Sequence, residues 1–114
     1  MTEITIAFRP DLEQLILRSR KTSTWRRSRK GLVGDTFTVR GRRYMITYVK
    51  RQDLDETIWF DNLSEGFDSP AECQRVMEEI YGTPLDGRMM GYIHYFYPIV
   101  PTNLYGEEVR ASDI

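Results

Sequence analysis

The chain has 114 residues, 40% of them hydrophobic and 29% charged, with a net charge of −1; this is the size of one ordinary domain with a single core. One cysteine and one histidine exclude an internal disulfide and a cysteine-based metal site, and no apolar run is long enough to span a bilayer. The opening MTEITIAFRPD lacks the basic start and apolar middle of a secretory signal, so a cytoplasmic monomer is expected, with no membrane partner, no cofactor and no structural zinc.

EITIAF (3–8) places Ile4, Ile6 and Phe8 on one face and predicts a short strand. Pro10 suits the first turn of a helix, and Leu12, Leu15 and Ile16 follow at helical spacing, so 10–19 is predicted as a short amphipathic helix. KTSTWR (21–26) is β-branched and alternating: Thr22, Thr24 and Arg26 would share one strand face, Ser23 and Trp25 the other. GLVGD (31–35) leads as a turn into TFTVR. RGRR (40–43) reads as a hairpin tip with Gly41 taking unusual backbone angles, and YMITYVK (44–50) as the return strand. ETIWF (56–60) is predicted as a further short strand or an irregular crossing.

The best-marked element is DSPAECQRVMEEIYG (68–82). Ser69 is the expected N-cap, Pro70 the first helical residue and Glu72 the third, which is a capping box. Cys73, Val76, Met77, Ile80 and Tyr81 form its apolar stripe, and Gly82 stops it. MMGYIHYFYPI (89–99) is a strongly β-prone run. The pattern predicts an α+β fold of five or six mostly antiparallel strands with two flanking helices, as a small, partly closed β-barrel. Residues 1–97 would form the domain, and 98–114 a C-terminal extension packing on it or trailing from it.

Charge is unevenly spread. Residues 18–51 carry twelve Arg or Lys and one acid, Asp35, while the remainder carries four basic and sixteen acidic residues. An anionic partner for the basic region is the reading this favours. Mutual neutralisation across a folded surface is the plain alternative.

The order of helix, SRKTSTWR, VGDTFTV, hairpin, EGFDSPAECQRVMEEIYG and YIHYF resembles the ASCH family, over roughly residues 5–97. The most specific piece is a Gly-x-Lys-x-x-(Glu or Thr)-x-Arg signature. Lys21, Thr24 and Arg26 match it; Ser19 stands in place of the Gly, and serves there if the turn avoids positive φ. The Gly34-Asp35 pair and the EGF…S entry to the second helix are further landmarks. The resemblance implies a PUA-like barrel and a cleft for a nucleotide-like ligand. It implies RNA binding, hydrolysis of the amide in N4-acetylcytidine, or ribonuclease activity. For the amidohydrolase branch it implies a Lys and a Thr from the signature and a Glu from the second helix, which fall on Lys21, Thr24 and Glu72.

Thr24 would supply a nucleophilic hydroxyl, Lys21 a base made less basic by neighbouring arginines, and Glu72 a proton relay. Lys21 and Thr24 are an odd interval apart, so they converge only if Lys21 precedes the strand. Each has a simpler reading: Glu72 as a cap residue, Thr24 as a strand former, Lys21 as a phosphate anchor. Cys73 is expected in the core, and His94 packed or hydrogen-bonded. RNA binding asks for less. Arg20, Arg26, Arg27, Arg29 and Lys30 would form one arm of a basic channel, and Arg40, Arg42 and Arg43 the other. Trp25 and Tyr44 are the candidates for stacking on bases. The sequence therefore favours an RNA- or nucleoside-binding protein, with an amidohydrolase as the alternative. A protein-interaction module or a ribonuclease comes next.

Overall fold

A computed structural model describes residues 2–99. Of the expected C-terminal extension, residues 100–114 lie outside the described residues; Pro98 ends the last strand and the Ile99 N–H donates to the Arg43 carbonyl at 2.8 Å.

Three helices and four strands occur among the described residues: α1 Pro10–Leu17, β1 Ser23–Arg26, β2 Thr36–Val39, β3 Arg42–Asp53, α2 Leu54–Phe60, α3 Pro70–Tyr81 and β4 Met90–Pro98. All strand pairs are antiparallel, in the order β1-β4-β3-β2, and the sheet curls into a half-barrel. The α+β, PUA-like architecture is as expected, with fewer strands and one more helix.

Two segments account for that difference. EITIAF makes only one isolated parallel bridge, Glu3 to Thr36, and runs past β2. ETIWF belongs to a helix, α2. Its Asp53 cap accepts the Glu56 N–H at 2.8 Å, and Leu54, Thr57 and Ile58 are buried at helical spacing. That spacing, with an N-cap, overrides the β-propensity of Thr-Ile-Trp-Phe.

The other elements form where their local chemistry directs. α3 starts with the Ser69 hydroxyl accepting the Glu72 N–H at 3.1 Å, and buries Cys73, Val76 and Met77. α1 buries Leu12 and Ile16, one turn apart. It ends at Leu17, and just beyond it Ser19 takes a positive φ of 60°, so the condition under which serine replaces the glycine without cost is not met. Arg40 and Gly41, with φ of 50° and 81°, turn the β2–β3 hairpin as a primed turn does.

The sheet separates two apolar clusters. On one face Trp25 and Ile93 pack with Leu54 and Ile58 of α2 and with Cys73, Val76 and Met77 of α3. On the other Phe37, Tyr44, Ile46 and Phe96 pack with Ile16 of α1. Each such side chain contributes about 1.5–3 kcal/mol by leaving water. α1 joins both clusters, through Leu12 in the first and Ile16 in the second, and a hollow is left where Leu12, β1 and α3 meet.

Candidate functional site

The hollow is a cleft of about 280 Å³ between the 7–9 segment, β1, the turn at 61–66 and the C-terminal half of α3. Lys21 reaches it because α1 ends abruptly. The N–H groups of Arg20 and Lys21 both donate to the Leu15 carbonyl, at 2.9 and 3.0 Å, so the chain reverses and Lys21 lies just before β1. This is the condition under which Lys21 and Thr24 converge, and both line the cleft.

Opposite Lys21 stands Glu65, from the turn after α2. The turn closes through Glu65 N–H to Asp61 O and Phe67 N–H to Asn62 O, both 2.9 Å. Gly66 follows with φ of 102°, and a Cβ there would come within 3.1 Å of the Lys21 side chain. Glycine thus permits the turn to press against Lys21. Lys21 Nζ lies 3.5 Å from Glu65 Oε1 and donates to the Glu65 carbonyl at 3.3 Å. Glu65 Oε1 also accepts the Trp25 N–H at 3.2 Å, and Oε2 the Ser23 hydroxyl at 2.6 Å. The Ser23 and Ser64 hydroxyls are 2.8 Å apart.

Thr24 and Arg26 occupy the same strand face, as expected. Arg26 Nε donates to the Thr24 hydroxyl oxygen at 3.0 Å and Nη2 to the Ala7 carbonyl at 2.6 Å. The guanidinium also lies 4.8 Å over the Phe8 ring. Two of its five donors are used in these bonds. Apolar walls come from Phe8, Trp25, Met77 and Tyr81. Tyr81 sits edge-on to Trp25 with centroids 5.3 Å apart.

Burial sets the electrostatics. It lowers the Lys21 pKa below the ordinary lysine value; Glu65 opposes that shift and Arg26 adds to it. Burial raises Tyr81 above an ordinary phenol and lifts the Cys73 thiol to about 12, so Cys73 is an inert core residue as expected. His94 is fully buried. Its Nε2 accepts the Lys30 N–H at 2.9 Å, so Nδ1 carries the proton and donates to the Thr24 carbonyl at 3.1 Å. It supports β1 from beneath.

The other candidates go elsewhere. Glu72 is not in the cleft: its carboxylate accepts the Asp68 N–H at 3.1 Å, completing the α3 cap. The acid beside Lys21 is Glu65, seven residues earlier and in the EGF landmark; the contact that identifies it is tertiary. Tyr44 is not exposed for stacking, because it packs between Phe37 and Phe96 in the core. Trp25 is also buried, with Nε1 donating to the Gln52 carbonyl at 2.9 Å, and presents only part of its ring to the cleft. Of the eight basic residues expected to form two arms, only Arg26 lines the cleft. Arg20 pairs with Asp68, Arg40 with Glu13, and Arg27 touches the Met89 sulfur. Arg42 donates to the Leu17 carbonyl and Arg43 to the Thr36 hydroxyl. Arg29 and Lys30 are exposed on the β1–β2 connection. Local charge density suggests a channel, yet six of these eight side chains meet acceptors of their own outside it or, for Arg26, within the cleft.

No family model matches the sequence, and no curated protein does. Solved structures do match. An ASCH domain from Lactobacillus crispatus JV V101 aligns over 85% of this chain and 78% of its own, with 15% identity and a TM-score of 0.62. ASCH from Zymomonas mobilis aligns over 97% of this chain and 90% of its own, with 17% identity and a TM-score of 0.56. A protein from Enterococcus faecalis V583 described by the family model DUF984 aligns over 86% and 78%, with 18% identity and a TM-score of 0.53.

Proposed function

The chain has the ASCH-domain fold, and from that premise we propose that its cleft binds a nucleobase or nucleoside, free or as an unpaired residue of RNA. The observation that carries the reading is the buried Lys21–Glu65 pair, set in the wall of an open cleft beside Thr24 and Arg26. Lys21 and Arg26 offer donors and Glu65 an acceptor, the mixture that the edge of a pyrimidine demands. Phe8, Trp25, Met77 and Tyr81 provide apolar surface for its faces. The cavity is at the small end of ligand sites, which suits one base better than a helix.

A second reading, hydrolysis of an acylated cytidine, is favoured by the Arg26–Thr24 hydrogen bond. A guanidinium on the hydroxyl oxygen eases loss of its proton. Lys21, made less basic by burial, would take that proton as Thr24 Oγ attacks the amide carbon, and return it to the exocyclic amine as the C–N bond breaks. Water would then release the acyl group from Thr24 as the acid. Glu65, in place of Glu72, would hold Lys21.

Calorimetric titration with cytidine, uridine, adenosine and N4-acetylcytidine tests the first reading, and chromatography of the last for cytidine and acetate tests the second. Binding of at least one nucleoside is expected, lost in Lys21→Met. A wild-type chain that binds none of them, nor a short RNA through the cleft, overturns the proposal.

A further inference from the structure

One sheet face is open beyond the end of α2. Side chains alternate along β4, so Ile93, Tyr95 and Tyr97 share a face. Helices cover Ile93, Tyr95 is half-buried, and Tyr97 is 67% exposed. On β3 the register shifts by one residue between Ile46 and Tyr48, so that Tyr48 sits opposite Tyr95. Without that bulge Tyr48 would pair with His94 and point to the other side of the sheet. The bulge therefore gathers a third tyrosine onto this face. The Tyr48 and Tyr95 ring centroids are 6.0 Å apart, and Tyr48 is 52% exposed. Tyr95 is held in place by its hydroxyl, which donates to Asp61.

Cations flank the three rings. Lys50 lies two residues past Tyr48, and Arg43 two residues before Met45, the cross-strand partner of Tyr97. Both are exposed, and neither has an ion-pair partner among the described residues. The acid at this face, Asp61, is already engaged at both oxygens, by Tyr95 and by the Gln52 amide at 2.8 Å.

We propose that this tyrosine face binds single-stranded nucleic acid, with bases stacking on Tyr48 and Tyr97 and phosphates paired with Lys50 and Arg43. Planar rings set diagonally on two neighbouring strands, about 7–8 Å apart, with a positive charge at either end, complement an extended, unpaired polyanion. The face is separate from the cleft: the 61–66 turn stands between them, with Asp61 holding Tyr95 and Glu65 holding Lys21. The two readings can thus fail independently.

The test is fluorescence anisotropy with labelled oligouridylate and oligothymidylate of about twelve nucleotides, a length within known single-strand site sizes, and with a duplex of equal length. The wild-type chain is expected to favour the single strands. Tyr48→Ala/Tyr97→Ala should weaken binding about tenfold or more, while Tyr48→Phe/Tyr97→Phe keeps it, since stacking needs the ring and not the hydroxyl. Arg43→Ala/Lys50→Ala should flatten the salt dependence. Lys21→Met should leave the tyrosine-dependent affinity in place. Thermal melts check that the variants fold. Binding unchanged by the alanine pair overturns the proposal, and so does equal weakening by the phenylalanine pair. Failure of the wild-type chain to bind any single strand also overturns it and leaves the face to a protein.

Discussion

Lys21 Nζ stands 3.5 Å from Glu65 Oε1, with both side chains at most 3% exposed. Removing one member strands the other without a counter-charge. Lys21→Met or Glu65→Gln alone should cost about 3 kcal/mol or more in urea unfolding. The double variant should cost clearly less than the sum of the two. Additive costs would show that the pair is not coupled.

Glu65 and Glu72 separate the site from its scaffold. Glu72→Ala removes one acceptor at the α3 cap and should cost about 1 kcal/mol while leaving nucleoside binding intact. Glu65→Gln should abolish that binding. The reverse pattern in a titration would return the acid's role to Glu72.

Ser19 is a non-glycine residue in left-handed backbone, at φ of 60°. It is exposed and makes no side-chain hydrogen bond among the described residues. Ser19→Gly should therefore stabilise the chain by about 1 kcal/mol, and Ser19→Val should destabilise it. Denaturation midpoints measure both.

His94 links stability to pH. Burial lowers its pKa below the ordinary 6.5, opposed by the Thr24 carbonyl and aided by Arg26 and Lys30. The unfolded chain thus takes up a proton at a pH where the folded chain does not. Stability should fall as pH drops below about 6.5 toward the folded value. His94→Asn should flatten that part of the curve. A wild-type profile that is level there would refute the burial argument.

Gly91 marks where β4 passes beneath Trp25. A Cβ at that position would overlap the indole and the Arg26 carbonyl. Gly91→Ala should cost about 1–3 kcal/mol by displacing Trp25, and should perturb tryptophan fluorescence as well as the melting temperature.

What the sequence made legible was local. Ser69, Pro70 and Glu72 announced α3, and the Thr24–Arg26 alternation placed two site residues on one face. The odd spacing of Lys21 and Thr24 required a turn before β1, and the turn is there. What stayed hidden depended on distant partners. Glu65 resembles any acid in a polar loop until the chain folds it onto Lys21, forty-four residues away. The placement of the arginines is hidden for the same reason: Glu13, Asp68 and the Leu17 carbonyl, which bind three of them, are far off in the chain. α2 is obscured in the sequence by the β preference of Thr-Ile-Trp-Phe, which masks the N-cap at Asp53.

β1 is an outermost strand, so its outward N–H groups would otherwise be free to recruit a foreign chain. Ser64 O receives that of Ser23, and the Glu65 carboxylate that of Trp25. The residue that steadies Lys21 therefore also seals the rim of the sheet against strand-to-strand growth. An aliphatic residue in place of this acid would leave the Trp25 N–H buried without that acceptor, so the position is constrained by the sheet's border as well as by Lys21.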